Sequence, residues 1–173
     1  MKNLSCAFIG HKPQNLPFGF NEADEQCVFL KEELERKIID LIINRHVTRF
    51  ITGMALGVDM YAAEIVLKLK KLYPSISLEC AIPCEAQPEK WTEGFRNRYF
   101  YIAASCDKET MLQKQYTPDC MEKRDKYMVD SCDILLAVWN GEKSGTGNAV
   151  EYAQKTGKEV LVINSNTTEI GIF

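Results

Sequence analysis

The chain has 173 residues, 46% hydrophobic, 26% charged and 10% aromatic, with a formal net charge of −3. That length and balance fit one globular domain spanning 1–173 with a sizeable core, and leave no internal repeat, low-complexity tract or interdomain linker. Mild acidity makes no demand for a nucleic-acid partner, and no apolar run approaches the roughly 18 residues of a membrane span. Seven cysteines, an odd number, and a start "MKNLSCAFIG" without a long apolar run and cleavage site point to reduced thiols in the cytoplasm.

In chain order, "LSCAFIG" (4–10) reads as a short buried strand ending at a glycine, followed by the loop "HKPQNLPFGFN". From about Glu22 the apolar period changes to helical, with Cys27, Leu30, Leu34, Ile38 and Leu41 in one stripe. Glu32–Arg36 and Glu33–Lys37 stand at i,i+4 on the outer side. "TRFIT" (48–52) is the second strand, and Leu56 to Leu72 the second helix, with Met60, Ala63, Val66 and Leu67 inward and Lys68, Lys70 and Lys71 outward. "ISLECAI" (76–82) is the third strand, stopped by Pro83. Residues 88–105 read as a helix with a wide aromatic face expected in the core, "DKETML" as a short strand, and the segment after Pro118 as a charged helix. "DILLAVW" (133–139) is a buried strand, and "GEKSGTGNAVEYAQKTGK" a glycine loop feeding a helix that ends at Gly157. "EVLVIN" is the final buried strand. Strand and helix alternate, with near-continuous apolar runs in several strands. The expected fold is therefore α/β, a three-layer, mostly parallel sheet with helices on both faces.

In such sheets ligands bind outside the carboxyl ends of the strands, where strand order reverses. Three stretches fall there: Gly10-His11, Thr52 to Asp59, and Trp139 to Asn148. The latter two feed directly into helices, whose unpaired N–H groups and dipole attract an anion, and glycine lets the main chain approach it. "GMALGVD" (53–59) is neither G-x-G-x-x-G nor a P-loop with its lysine. A phosphate cradle and a plain glycine turn tightening a strand–helix junction both fit the spacing. Asp59 in the first helical turn is favourable for the dipole with or without a ligand. In "GEKSGTGNAVE", Gly145, Thr146 and Gly147 would supply N–H donors and a hydroxyl, or form a surface loop capped by Thr146 or Asn148.

"ITGMALGVDMYAAE" together with "CMEKRDKYMVDSCDILLAVWNGEKSGTGNAVEYAQKTGKEVLVI" resembles the DUF1273, or YpsA-like, family of the SLOG superfamily, Rossmann-like proteins that include DprA and the LOG enzymes. The likeness extends to "IGHK", Trp91, Tyr99, Tyr116 and "KRDKYMVD". It implies a Rossmann-like fold and a nucleotide-like ligand. Gly53, Met54, Ala55, Leu56 and Gly57 would hold a phosphate through their backbone, Asp59 would lie near the ribose, and Gly145 and Thr146 would close the other side. Arg124 would pair with the phosphate or, alternatively, form a surface ion pair on its helix.

The sharper versions of this resemblance meet obstacles in the sequence. The LOG pattern P-G-G-x-G-T-x-x-E is "NGEKSGTGNAVE" here, with Ala149 at the glutamate's spacing and Glu151 displaced to another helix face. That argues against LOG-type catalysis, the cutting of an N-glycosidic bond in a nucleoside monophosphate; Asp59, Glu64 or Glu151 would serve another hydrolytic chemistry, with Asp59 and Glu151 the leading candidates. The arginine of the DprA G-x-A-R-G loop is Leu56, which disfavours nucleic-acid binding. Two histidines and the lone C-x-x-x-C of Cys80 and Cys84 give no metal site; the thiols should be buried and inert. His46 should sit on the surface at a helix end, His11 beside the ligand. The reading that remains is a cytoplasmic module with no required cofactor that binds a nucleotide or an ADP-ribose-like ligand. A sensing role, a homo-oligomer or a regulatory protein partner would accompany it. Trp139 would stack on a base or pack on the adjacent helix.

Overall fold

The apolar runs and helical stripes assemble, in a computed structural model that describes residues 2–172, into seven strands and five α-helices. The elements are β1 (Leu4–Gly10), α1 (Glu25–Arg45), β2 (Val47–Thr52), α2 (Val58–Lys70), β3 (Ser77–Ile82), α3 (Glu93–Ser105), β4 (Lys108–Met111), α4 (Cys120–Asp130), β5 (Ile134–Trp139), α5 (Gly145–Lys155), β6 (Glu159–Asn164) and β7 (Ile170–Ile172). The sheet order is β4-β3-β2-β1-β5-β6-β7. Every neighbouring pair is parallel except β6–β7, which is antiparallel. β1 is central, and the chain winds outward from it first through β2 and later through β5. The order therefore reverses between β1 and β5, and their carboxyl ends, Gly10 and Trp139, open the crevice where such sheets bind ligands.

Alternation along β1 sorts the core into two layers. Cys6 and Phe8 pack with the buried sides of α1, α2 and α3, whereas Ala7 and Ile9 face Met128 and Val129 of α4 and Ala149, Val150 and Ala153 of α5. On α1 the stripe Cys27, Leu30, Leu34, Ile38 and Leu41 is fully buried. The outer ion pairs run at i,i+3, Arg36 to Glu33 and Lys37 to Asp40, instead of the expected i,i+4 pairs; Glu33 lies in the wall of the core and Arg36 reaches back to it. The chain leaves α1 through exposed His46, in the left-handed region at φ 54, with its N–H bonded to Leu41 O.

Three further expectations are corrected. Residues 88–91 lie in turns and the helix begins only at Glu93, after Thr92. Of its aromatics only Tyr99 is buried; Phe100 and Tyr101 are 58% and 68% exposed, and Trp91 packs edge-on against Tyr99 at 5.5 Å. A strand also follows "EVLVIN": β7 folds back on β6 through the turn at Asn164–Thr168. Six cysteines are buried and Cys106 is half-buried.

Candidate functional site

The reversal of strand order leaves a cavity of about 240 Å³ at the ends of β1 and β5. Gly10, His11, Lys12 and Asn15 line it from the end of β1 and the turn beyond. Ala55 and Asp59 come from the β2–α2 junction, Met121, Arg124 and Asp125 from α4, and Ser144, Gly145 and Thr146 from the start of α5. Four separate segments thus meet at one point of the sheet.

Its floor is the pair Asp59 and Arg124. Gly57 takes φ +89, which ends the loop sharply and starts α2 at Val58, turning Asp59 under the crevice. An added Cβ at Gly57 would stand 2.7 Å from the carbonyl oxygen of His11, so the junction and the end of β1 need that bare α-carbon. Gly10 is similarly confined: its Cβ would lie 2.5 Å from Val58. Asp59 is 2% exposed; its Oδ2 accepts the N–H of Ala55 at 3.2 Å, and its Oδ1 is buried with no hydrogen-bond partner. Burial raises its carboxyl to about 7, against the pull of Arg124, while nearby Asp125 pushes in the same direction as burial and Lys12 opposes it. Arg124 is 4% exposed, which corrects the alternative of a surface ion pair. Its Nη1 donates to Gly53 O at 2.8 Å and its Nε to Asp125 Oδ1 at 2.9 Å. Against its own desolvation, Asp125 and Asp59 keep the guanidinium firmly charged. When ionised, the buried, unpartnered Asp59 Oδ1 near the Arg124 guanidinium, at a strand-order reversal, is free to accept a hydrogen bond.

The start of α5 closes the opposite wall. Ser144 is the N-cap, accepting the Gly147 N–H at 3.0 Å, so neither Thr146 nor Asn148 caps the helix and Gly147 is not a free donor. Gly145 and Thr146 are the two first-turn residues that line the cavity. His11 is buried and its Nε2 lies 3.2 Å from the Asn140 backbone nitrogen and 3.1 Å from Asn140 Oδ1, tying the end of β1 to the end of β5. Burial lowers its pKa and favours the neutral ring.

Several expected contributors do other work. In the "GMALG" loop the Met54 N–H bonds to Thr52 Oγ1 at 3.3 Å and the Ala55 N–H to Asp59, so these two amides are already taken. Thr52 is fully buried, its hydroxyl donating to Asp59 O at 2.9 Å. Met54, at φ 60, is likewise buried. Gly53 serves as the seat of Asp59 and Arg124, and Leu56 turns into a neighbouring cavity. Trp139 donates from Nε1 to Glu142 O at 2.7 Å and lies against Gly147, so it packs on α5 and not over the cavity. Glu151 is exposed and paired with Lys155 at 2.7 Å, outside the cavity.

Residues that the sequence pattern did not single out complete the site. Lys12, Asn15, Asp125, Met121 and Ser144 line the cavity, and Lys12, Ala55 and Met121 also line a larger one of about 550 Å³ beside it. Phe20, Leu56, Trp91 and Phe95 give that compartment an apolar wall, and Gln87 and Lys90 also line it. Lys12, Met121, Asp125 and Ser144 stand inside the blocks "IGHK", "CMEKRDKYMVD" and "GEKSGTGNAVE", whereas Asn15 in the loop after β1 carried no signal.

The comparisons with known proteins agree with this architecture. The chain is 34% identical over 139 residues to an uncharacterised prophage-derived protein, YoqJ, of Bacillus subtilis, covering 73% of this chain and 81% of that one. It is 31% identical over 156 residues to a UPF0398 protein of Bacillus cereus, covering 88% and 83%. Among solved structures it resembles DNA processing protein A from Helicobacter pylori, a protein described for its single-stranded DNA binding mode, with a TM-score of 0.62 and 19% identity. That likeness covers 93% of this chain but only 65% of the other, and it shows the fold. The family profile described as the YspA SLOG family matches residues 6–167, nearly the whole sequence, and the chain belongs to that family.

Proposed function

We propose that the protein binds a nucleotide or nucleotide-derived small molecule in the cavity between β1 and β5. The observation that carries this reading is the buried, unpartnered Oδ1 of Asp59 next to the charged Arg124. A sugar hydroxyl would donate to that oxygen. A phosphate would take the first-turn amides of α5 at Gly145 and Thr146, with Lys12 at the mouth. The base would extend into the adjoining compartment of Phe20, Trp91 and Phe95. The anion-binding amides are thus assigned mainly to α5, because the "GMALG" loop spends two of its own on Thr52 and Asp59. A role as a sensor, in which occupancy alters a contact with a second copy or a regulatory protein, follows this reading.

One observation favours a second reading, a nucleotide-processing hydrolase of the N-glycosidase type. A carboxyl poised at about 7 exchanges its proton near neutral pH, as a general acid or base must. Asp59 is its candidate; Glu151 is too far out on α5 to take part.

A thermal-shift panel of nucleoside mono- and diphosphates, ADP-ribose, dinucleotides and a short single-stranded oligonucleotide tests both, followed by chromatography of every positive. A binding module raises the melting temperature, is stabilised by about 2.7 kcal/mol at a hundredfold excess over Kd, and returns the ligand intact. Release of free base assigns the hydrolase. Stabilisation by the oligonucleotide alone, or by nothing in the panel, overturns the proposal.

A further inference from the structure

Gln87 lies in the turn after β3, and its side-chain amide is anchored at one end only. Its Nε2 donates to Gly53 O at 3.2 Å, the same carbonyl that receives Arg124 Nη1 at 2.8 Å. This fixes the orientation of the amide, because an oxygen turned toward Gly53 O would face another acceptor. The remaining atom, Oε1, is therefore an acceptor, and it is buried without a partner. Such a group costs free energy unless a donor arrives, and its place in the fold says which donor. Gln87 lines both the 550 Å³ aromatic compartment and a third cavity of about 430 Å³ that continues beyond it past Tyr116. Trp91 and Met121 border both cavities. A flat ring placed against Trp91 would carry its edge toward Gln87, and Met121, an unbranched and adaptable side chain, is the wall that would shift to admit it.

We infer that Gln87 is a specificity-determining residue whose Oε1 accepts an N–H from the edge of a nucleobase stacked beside Trp91. The inference rests on the nucleotide reading above, and adds that the ring must bring an N–H donor. The Gly53 carbonyl links the two halves of the site: Arg124 holds it from the sugar–phosphate cavity and Gln87 from the base compartment. Base recognition and the floor of the crevice are then one connected hydrogen-bonded unit.

The test compares natural nucleotides with analogues that lack that donor. AMP, IMP and GMP are compared by calorimetry with purine riboside 5′-monophosphate, and CMP and UMP with pyrimidin-2-one riboside 5′-monophosphate; neither analogue has an N–H on its ring edge. At least one natural nucleotide should bind about tenfold or more tightly than its donorless analogue, the cost of leaving a buried acceptor unpaired. Gln87→Met should bring the two within about twofold. In the wild-type protein the side-chain amide resonances of Gln87 should shift with the natural nucleotide and much less with the analogue, which decides the matter even if the variant folds poorly. Equal binding of every pair, or a preference that survives Gln87→Met, overturns this inference and leaves nucleotide binding intact. Failure of all these monophosphates to bind overturns it together with the base-stacking part of the reading.

Discussion

Asp59 and Arg124 close on the same α-carbon from two sides: a methyl group built on Gly53 would lie 2.8 Å from Asp59 Oδ2 and 2.9 Å from Arg124 Nε. Both side chains occupy the space that a side chain at Gly53 would need. Gly53→Ala should therefore cost about 1–3 kcal/mol of stability by overpacking this buried polar site. Urea denaturation measures that loss, and nucleotide-induced stabilisation should disappear with it. A variant as stable as the wild type would show that Asp59 and Arg124 can part freely.

Asp59 should make the fold less stable as the pH rises. Its carboxyl ionises at about 7 in the folded protein, above the 3.8 of an ordinary aspartate. Between those values the native state keeps a proton that the unfolded chain has released, so stability falls as pH climbs through this window and is unaffected below it. Asp59→Asn removes the titration. The variant should gain on the wild type by up to about 4 kcal/mol between pH 4 and pH 7, read from denaturation midpoints across the range. Parallel pH profiles for the two proteins would contradict the buried carboxyl.

A donor on the ligand should prefer the ionised form of that carboxylate. Affinity for a bound nucleotide is then expected to rise as pH increases through about 7 and to level off above it, since Arg124 stays charged. Calorimetric titrations at pH 6 and 8 provide the check, and a flat profile would place the ligand elsewhere.

Glu79 braces the sheet away from the site. It is 1% exposed, and its carboxylate receives Arg49 at 2.6 Å, Thr110 at 2.9 Å and Tyr127 at 2.5 Å, joining β2, β4 and α4 to β3. Against burial, the Tyr127 and Arg49 hydrogen bonds hold its pKa below the usual value. Arg49→Met would leave the carboxylate with Thr110, Tyr127 and Lys108 Nζ at 3.5 Å, and should cost about 1–3 kcal/mol at neutral pH. Because a depressed pKa contributes stability above the unfolded value and loses it in acid, the deficit should shrink as pH falls below that of an ordinary glutamate. Urea titrations at both pH values decide this.

The first turn of α5 and its outer face should respond differently to substitution. Ser144→Ala removes the cap of Gly147 and should cost about 1 kcal/mol, and it should weaken ligand binding by loosening the turn that carries Gly145 and Thr146. Glu151→Ala removes an exposed i,i+4 pair and should change stability by less than about 0.5 kcal/mol, with binding and any turnover untouched.

Much of this protein is set by local rules. Continuous apolar runs bounded by Pro or Gly mark β1, β3, β5 and β6, and a 3.6-residue stripe marks α1, because burial on one or two faces leaves a periodic trace in the chain. The glycines at 10, 53 and 57, and the loop before α5, announce where the main chain must come close. Composition and loop chemistry also indicate a parallel sheet whose strand ends carry the site. Aromatic content misled at α3, since a helix at the rim of a layer exposes one side whatever residues occupy it.

What the chain could not reveal locally is the purpose of each close approach. The spacing of Gly53 and Gly57 suits a phosphate cradle, yet Gly53 makes room for Asp59 and Arg124, and Gly57 for the His11 carbonyl. Arg124 on a charged helix and Gln87 in a polar turn look like surface residues, and only the stacking of α4 and the β3 loop over the end of β2 brings both to one carbonyl. Sequence periodicity determines which faces are buried, because water rejects apolar surface wherever it occurs along the chain. Which polar groups are buried with them, and which are left without a partner, depends on distant segments converging, and so was decided by the tertiary structure alone.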